Sequence, residues 1–370
     1  MNVLVAGDFC PQSRVAELFA NQDFETVLCE ISPFIKQVDY SILNFECPVC
    51  EGDEKPIEKC GPNLKCSIKG LEAIKWAGFN CVTLANNHFL DYGAKGVENT
   101  LSACSSLGIS TVGGGGDLEQ ASQTLYLSLC GKKLAIINCC EHEFSIATET
   151  SAGSNPLNPI QQYYAIKEAR NQSDYVLVIV HGGHEYYQLP SLRMQETYRF
   201  FVEAGADAVV NHHQHCYSGY ETYKGKPIFY GLGNFCFDGN LGGGNEWYEG
   251  YMVVLTFDEE ISYKILPYTQ GAYGVGIKMT KPDSFDDTLE RLNNIINNPD
   301  RLKEEQNKYY ESVIQSSKNV LNPVVNRYLS FLQSHHLLPS IVSKKWVSII
   351  HNHIMCEAHR DRLLYYLNNK

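Results

Sequence analysis

The chain has 370 residues, of which 44% are hydrophobic, so it can bury a large core in one elaborated domain or in one large and one smaller domain. Its formal net charge is -12 and it has no long run of lysine and arginine, which argues against nucleic acid or an anionic membrane surface as the main partner. No apolar run approaches the roughly 20 residues of a membrane-spanning helix, so no direct membrane span is expected.

The first 140 or so residues alternate between strand-like and helix-like segments. Short, continuous, β-branched apolar runs predict strands that are buried on both faces. Helices are predicted over residues 13–21, 67–78 and 94–107. In the second of these, Ser67 is a plausible N-cap and Gly78 lies just past the end. A hairpin is predicted from residues 125–129 and 134–138.

The second half continues the alternation and then becomes helical. Residues 145–160 are rich in Ser, Asn, Pro and Gly and are predicted to form a loop. Strands are then predicted over residues 176–180, 208–210, 227–230 and 251–255. Helices are predicted over residues 160–171, 191–204, 286–297, 299–317 and 323–334. We therefore predict one domain over residues 1–275 and a helical extension over residues 280–370.

The start of the chain and its cysteines suggest a reducing compartment. No basic segment followed by a long apolar one is present at the start, and the chain has 14 cysteines, so a cytoplasmic location is expected. Cys47, Cys50, Cys60 and Cys66 leave two interpretations open, a zinc or disulfide site and a set of buried or loop thiols. The second pair lacks tight Cys-x-x-Cys spacing, which favours thiols.

Five short polar clusters each follow an apolar run. They are Gly7-Asp8, Asn44-Phe45-Glu46, Asn86-Asn87-His88, the stretch 181–185 (His-Gly-Gly-His-Glu) and the stretch 212–215 (His-His-Gln-His). In open α/β sheets, ligands collect outside the carboxyl ends of the strands, so these side chains are expected to converge on one rim. Carboxylates, amides and imidazoles together suit Mn, Fe or Zn. The clusters therefore predict a hydrolytic metal centre.

Taken singly, each cluster also has a purely structural interpretation. A Gly-Asp turn is common, a lone histidine at a strand end is more often a hydrogen-bonded core residue, and Asn86-Asn87-His88 can cap a turn. His213 and His215 are more specific, because side chains two apart on an extended segment point to the same side. Taken together, the clusters predict one or two divalent ions, with Glu46 as a possible bridge and His88 as a possible proton donor.

At these positions the chain resembles the CapA family of capsule and poly-γ-glutamate synthesis proteins, within the calcineurin-like metallophosphoesterase fold. The resemblance covers roughly residues 1–260. Its most specific parts are Ala-Asn-Asn-His-Phe-Leu-Asp-Tyr-Gly, from Ala85 to Gly93, and the closing Gly233-Asn234-Phe235. The resemblance implies an α/β fold in the form of a four-layer αββα sandwich.

The resemblance also implies roles for individual residues. His88 would act as the acid and Asp91 would orient it, and we predict that Glu185, Tyr186 and Asn234 contact the substrate. The implied metal ligands are Asp8, Glu46, Asn87, His181, His213 and His215.

The sequence departs from the family pattern at a few positions. Cys10 stands where metallophosphoesterases usually carry a histidine, so one metal is expected to bind more weakly. Gly182 replaces the family's usual tryptophan, and Asn211 and Gln214 replace a glycine and a proline around the paired histidines. These departures affect substrate shape and metal occupancy more than the fold.

Two functions of different classes follow from this sequence. The first is a cytoplasmic metal-dependent hydrolase that attacks a phosphoester, or an amide in a polyglutamate-like substrate, so that its partner is an anionic molecule. The second is a non-catalytic component of capsule or poly-γ-glutamate synthesis that binds an anionic polymer or a synthase. Five tyrosines near the last motifs would suit a polymer groove, at positions 186, 187, 217, 220 and 223.

Overall fold

The structure, a computed structural model, describes residues 1–239, 245–271, 274–321, 332 and 343–369. The strands of this part are β1 (Asn2–Cys10), β2 (Tyr40–Phe45), β3 (Cys81–Thr83), β4 (Ser110–Val112), β5 (Gly114–Gly115), β6 (Leu125–Leu129), β7 (Lys132–Cys140), β8 (Gly153–Ser154), β9 (Tyr175–His181), β10 (Ala208–His212), β11 (Tyr220–Tyr223), β12 (Lys226–Phe229), β13 (Asn234–Phe237), β14 (Glu249–Thr256), β15 (Ser262–Gln270) and β16 (Ile277–Lys278).

Helices flank these strands and form the C-terminal part. They are α1 (Ser13–Ala20), α2 (Glu25–Leu28), α3 (Ser32–Ile35), α4 (Ile68–Ala77), α5 (Gly93–Leu107), α6 (Leu118–Ala121), α7 (Pro159–Gln172), α8 (Leu192–Ala204), α9 (Phe285–Ile296), α10 (Pro299–Leu321), α11 (Lys344–Met355) and α12 (Glu357–Asn368), with a 3-10 turn at Asn245–Tyr248. Among the described residues, none of these helices has the length and apolar character needed to cross a lipid bilayer.

Two mixed sheets pack against each other, and helices cover the outer face of each. The first sheet has the order β16-β15-β14-β1-β2-β3-β4, with β13 also paired to β1, and the second has the order β11-β12-β10-β9-β7-β6. Strand β1 shows how the layers form. Val3 and Val5 pack with the second sheet, whereas Leu4 and Ala6 pack with the helices over the first. The predicted four-layer αββα sandwich is confirmed.

Most predicted elements are present with boundaries shifted by only a few residues. The side chain of Ser67 accepts a hydrogen bond from the Lys69 backbone N–H and caps α4, and Gly78 ends the helix with φ 109°. The predicted helix over residues 323–334 lies almost wholly outside the described residues. All fourteen cysteines are free of disulfide bonds, and Cys47 and Cys66 are buried.

The C-terminal helices pack against the sandwich through buried polar contacts. Arg193 of α8 forms ion pairs with Glu141 at 2.7 Å and with Asp361 of α12 at 2.8 Å. Glu357, at the start of α12, accepts hydrogen bonds from the backbone N–H of His142 at 2.8 Å and from its Nδ1 at 2.7 Å. The helical extension is therefore attached to the loop after β7 and to α8.

The contact between His142 and Glu357 makes this attachment sensitive to pH. The hydrogen bond to Glu357 raises the pKa of His142 above 6.5, so its contribution to stability is complete below that value and is lost as the pH rises through the folded-state pKa. Burial raises the pKa of Glu357, but hydrogen bonds from His142 lower it overall to below 4.5. Its contribution is complete above 4.5 and is lost as the pH falls through the folded-state pKa. The contact between His142 and Glu357 is therefore strongest between pH 4.5 and pH 6.5.

We expect Glu357→Gln to lower the melting temperature more at about pH 6 than at about pH 8.5, because the charge on His142 that strengthens the wild-type contact is lost as the pH rises through its folded-state pKa. Differential scanning fluorimetry at the two pH values measures the difference. Glu304→Gln serves as the control, since the ion pair of Glu304 within the described part of the chain is with the exposed Lys308 in α10. An equal effect of Glu357→Gln at both pH values would contradict the prediction.

Candidate metal centre

Strand ends from both sheets meet at one edge of the sandwich. In the first sheet Asp8 of β1 lies beside Asn44 of β2, and in the second His212 of β10 lies beside His181 of β9. These strands are parallel within each sheet, so their carboxyl ends fall at the same edge. The polar clusters of the sequence are thereby brought together.

Two groups of potential ligands share one carboxylate. Glu46, His181 and His213 form the first group, and Asp8, Glu46 and His215 form the second, with the ligand atoms of each group within 4.8 Å of one another. The Oε1 atom of Glu46 lies 3.6 Å from His181 Nε2 and 3.8 Å from His215 Nε2. Glu46 Oε1 therefore lies close to a histidine of each group, which is the position that a bridging ligand needs.

Asn87 completes the first group. Its Oδ1 lies 3.0 Å from His181 Nε2, and His213 Nδ1 lies 3.0 Å from the same nitrogen. The structure thus brings all six implied ligands into one buried cluster, since none of them is more than 6% exposed.

The donor atoms of this cluster suit a divalent cation. Glu46 is fully buried, and its Oε1 has no hydrogen-bond partner among the described residues. Burial and the neighbouring Asp8 raise the pKa of Glu46 well above its usual value. Burial and the other histidines lower the pKa of His181, which keeps its lone pair free for a metal. Buried carboxylates are costly unless a cation compensates them, so one or two divalent ions fit these residues.

Two asparagines position the ligands from behind. Asn44 Nδ2 donates a hydrogen bond to Asp8 Oδ1 at 2.7 Å and lies 3.4 Å from Glu46 Oε2. Asn234 Oδ1 lies 2.9 Å from His215 Nδ1, which leaves the Nε2 of that ring for a metal. The structure places Asn234 behind His215, and its predicted contact with substrate stays a prediction. Asn44 belonged to a recognised motif, but its position two residues before Glu46 was the only sign of its role.

The backbone at the site is tightly constrained. His213 and His215 have φ values of 96° and 55°, which are uncommon for residues other than glycine. Gly7 has no room for a side chain, because a Cβ there would lie 1.9 Å from the carbonyl oxygen of Gly233. The Gly-Asp pair of the first motif therefore reflects close contact between two backbone segments.

The unusual residues around the paired histidines hold this backbone in place. The Asn211 amide donates hydrogen bonds to the carbonyl oxygens of Gly182 at 2.9 Å and Tyr230 at 3.0 Å. Gln214 Nε2 donates to the carbonyl oxygen of Tyr187 at 2.8 Å. Side chains that replace glycine and proline in the family pattern thus provide hydrogen bonds to neighbouring loops.

Cys10 affects the pKa of Glu46 electrostatically but does not belong to either ligand group. Its thiol is buried and accepts a hydrogen bond from Gln12 Nε2 at 3.4 Å. The candidate ligand groups of the described residues do not include it. Weaker binding of one metal, expected from this substitution, stays a prediction.

His88 is held by a carboxylate and a lysine beside the ligands. Its Nδ1 lies 2.7 Å from Asp91 Oδ2, and Lys59 pairs with Asp91 while its Nζ lies 3.1 Å from the same ring nitrogen. With Nδ1 engaged, Nε2 is the ring nitrogen left for a substrate. Burial lowers the pKa of His88, and Asp91 opposes this effect. Lys59 lies in a loop without any pattern, so the sequence did not point to it.

A cavity of about 310 Å³ opens next to the first ligand group. Glu185 and Tyr186, predicted to contact substrate, are among its lining residues, which are Gly183, His184, Glu185, Tyr186, His213, Tyr309, Val313, His359 and Arg362. Four of these come from the C-terminal helices α10 and α12. These four carried no recognisable motif in the sequence and were missed there. His359 Nδ1 also lies 4.0 Å from Glu143 Oε1 on the sandwich side.

The sequence matches a known family model over most of the sandwich. The model is described as bacterial capsule synthesis protein PGA_cap and matches residues 2–239. The chain is 34% identical over 246 residues to "Capsule biosynthesis protein CapA" of Bacillus anthracis, a match that covers 64% of this chain and 60% of the relative. It is 30% identical over 236 residues to "PGA biosynthesis protein CapA" of Bacillus subtilis (strain 168), covering 63% of this chain and 62% of the relative. The chain thus spans about three fifths of the length of these two relatives.

Solved structures show weaker similarity. A hypothetical protein from Thermus thermophilus aligns with a TM-score of 0.45 and 15% identity, over 72% of this chain and 99% of its own. A putative 5'-nucleotidase from Staphylococcus aureus aligns with a TM-score of 0.44 and 16% identity, over 78% of this chain and 57% of its own. Both similarities are too weak to carry a functional inference.

Proposed function

Because the chain belongs to the bacterial capsule synthesis protein family PGA_cap, as its motifs predicted, we propose that it acts in capsule or poly-γ-glutamate synthesis as a metal-dependent hydrolase. The observation that carries the proposal is the pair of ligand groups that share Glu46 Oε1. Two ions bound a few ångströms apart are the usual arrangement for hydrolysis of phosphoesters and of some amides.

The residues of the site divide into ligands, positioning groups and a proton donor. Divalent Mn, Fe or Zn held by the six ligands would supply Lewis-acid activation of water and would neutralise an anionic substrate. Asn44 and Asn234 hold the ligands in orientation. His88, held through Nδ1 by Asp91, would deliver a proton to the leaving group from Nε2.

The substrate we propose is anionic, either a phosphoester or an amide of a polyglutamate-like molecule. The matched Bacillus subtilis relative is named for PGA biosynthesis, which supports the second class. The cavity of about 310 Å³ beside His213 is large enough for one such group, and Glu185 and Tyr186 are the contacts we propose on the sandwich side. The cytoplasmic location expected from the sequence is part of the proposal.

Metal content and turnover test the proposal together. Protein purified with Mn²⁺ or Zn²⁺ is expected to hold up to two ions per chain by elemental analysis. It should hydrolyse bis(p-nitrophenyl) phosphate or poly-γ-glutamate only when metal is present. The double variant His213→Ala/His215→Ala removes one ligand from each group and is expected to lose both properties.

Undiminished metal content in that variant would contradict the ligand assignment. Bound metal without turnover of either substrate would contradict the hydrolase. That outcome would favour the alternative, a non-catalytic component that binds an anionic polymer or a synthase.

A further inference from the structure

The C-terminal extension forms one wall of the substrate cavity. Besides the ion pairs of Arg193, Gln306 of α10 accepts a hydrogen bond from the backbone N–H of Leu192 at 2.8 Å. His184 Nε2 lies 3.3 Å from the hydroxyl of Tyr310, which is only 4% exposed. The ring of Tyr309 stacks on that of Tyr187, with centroids 4.1 Å apart. Helix α10 is thus packed directly on the loop that follows β9.

Gly182 leaves space for the contacts that attach α12, the second helix that lines the cavity. A Cβ at position 182 would lie 2.7 Å from Glu141 Cγ, so a larger side chain there would displace Glu141. The Glu141 carboxylate pairs with Arg193 and accepts a hydrogen bond from the backbone N–H of Ala358, in the first turn of α12. Gly182, where the family usually has tryptophan, therefore leaves the space in which Glu141 contacts α12.

Helix α12 contributes a cationic side chain, Arg362, to the lining of the cavity. Its guanidinium hydrogen-bonds the neutral side chain of Tyr309, but its Nε atom is buried and has no hydrogen-bond partner among the described residues. Within the same part of the chain no carboxylate forms an ion pair with it, whereas Arg193 has two such partners. Glu185 also lines the cavity, but it is exposed, so solvent screens its charge. A partly withdrawn guanidinium without a counterion is suited to bind an anion.

We propose that Arg362 is an anion-binding residue of the substrate cavity, where it holds a phosphoryl or carboxylate group of the substrate beside His213. This rests on the proposed function, because it takes the anionic substrate of the metal centre as its ligand. The family match ends at residue 239, so the extension adds this contact outside the matched region. The planar fork of arginine can engage two oxygens of either group at once.

Isothermal titration calorimetry on the Mn²⁺-loaded 370-residue chain tests the proposal. Inorganic phosphate and γ-glutamylglutamate serve as separate probes, one for each source of the anion. Arg362→Gln is expected to weaken binding of at least one probe about tenfold to hundredfold, the usual effect of losing a hydrogen-bonded charge. Arg362→Lys should show an intermediate loss, because it keeps the charge without the fork. Arg360→Gln, an exposed arginine on the same helix, is the matched control and should bind within about twofold of wild type.

Each result decides the proposal. Weaker binding of phosphate assigns the subsite to a phosphoryl group, and weaker binding of the dipeptide assigns it to a carboxylate. Binding by Arg362→Gln as tight as wild type, an equal loss in Arg360→Gln, or no binding of either probe to wild type would overturn it. If the glutamine variant does not fold, the lysine variant decides, since no loss there would also overturn it. Binding without turnover would leave this inference standing while contradicting the hydrolase, and elemental analysis shows whether the metal is retained.

Discussion

Glu46→Gln is expected to remove most of the stabilisation of the fold by metal while leaving the metal-free protein at least as stable as wild type. Without metal, the wild-type carboxylate is buried beside Asp8 and its Oε1 lacks a partner, so its charged form is unfavourable. A neutral amide of the same shape removes that charge. Mn²⁺ at about 100 times its dissociation constant should stabilise the wild type by roughly 2.7 kcal/mol, and the variant much less, because both ligand groups lose their shared member.

Differential scanning calorimetry with EDTA and with Mn²⁺ measures both parts of this prediction. Glu259→Gln makes the same chemical change in the exposed turn between β14 and β15, and its Mn²⁺-induced shift should equal that of wild type. A full Mn²⁺-induced shift in Glu46→Gln would show that Glu46 does not bridge the two groups. A large loss of stability in EDTA would show that its carboxylate has an ordinary structural role.

The parts of the fold that followed from the sequence are those set by local pattern. The continuous apolar run of β1 predicted a strand buried on both faces, and Val3 and Leu4 do face different cores. Ser67 and Gly78 marked the limits of α4 because capping depends on nearby backbone groups. The pairing of β13 with β1 could not be predicted in the same way. Asp8 lies beside Asn234, and such a distant register depends on the packing of the whole chain.

The ligands could be predicted because strand ends of parallel sheets converge whatever the rest of the chain does. Glu46 follows a buried strand, His181 ends one, and Asp8 lies two residues before the end of β1. All three side chains are chemically distinctive. Lys59 and Arg362 follow no such rule. Lys59 reaches Asp91 from an irregular loop. Arg362 reaches the cavity because contacts of Glu141, His142 and Arg193 fix the position of α12. Their roles depend on tertiary contacts, which a single sequence does not reveal.

His88→Ala is expected to lower kcat by about 10²- to 10⁴-fold while the protein keeps its metal, because the ring would donate a proton without being a ligand. The size of the loss should depend on the leaving group. p-Nitrophenolate departs readily without a proton, whereas an alkoxide needs one, so an alkyl phosphoester should suffer more than a p-nitrophenyl phosphoester. Steady-state kinetics with the two substrates, together with elemental analysis, measures this difference.

The contacts of His88 explain why the decisive measurement is how the loss of kcat depends on the leaving group. Asp91 holds its Nδ1 and also accepts a hydrogen bond from the backbone N–H of Leu64 at 2.6 Å, so loss of the ring could disturb the neighbouring loop. A purely structural disturbance would slow both substrates equally, and it would do so whether or not the leaving group needs a proton. His351→Ala, an exposed histidine on α11, is the control and should leave both rates unchanged. Equal losses for the two substrates in His88→Ala would therefore reject proton donation and leave His88 only a role in positioning, whereas loss of metal would place it among the ligands.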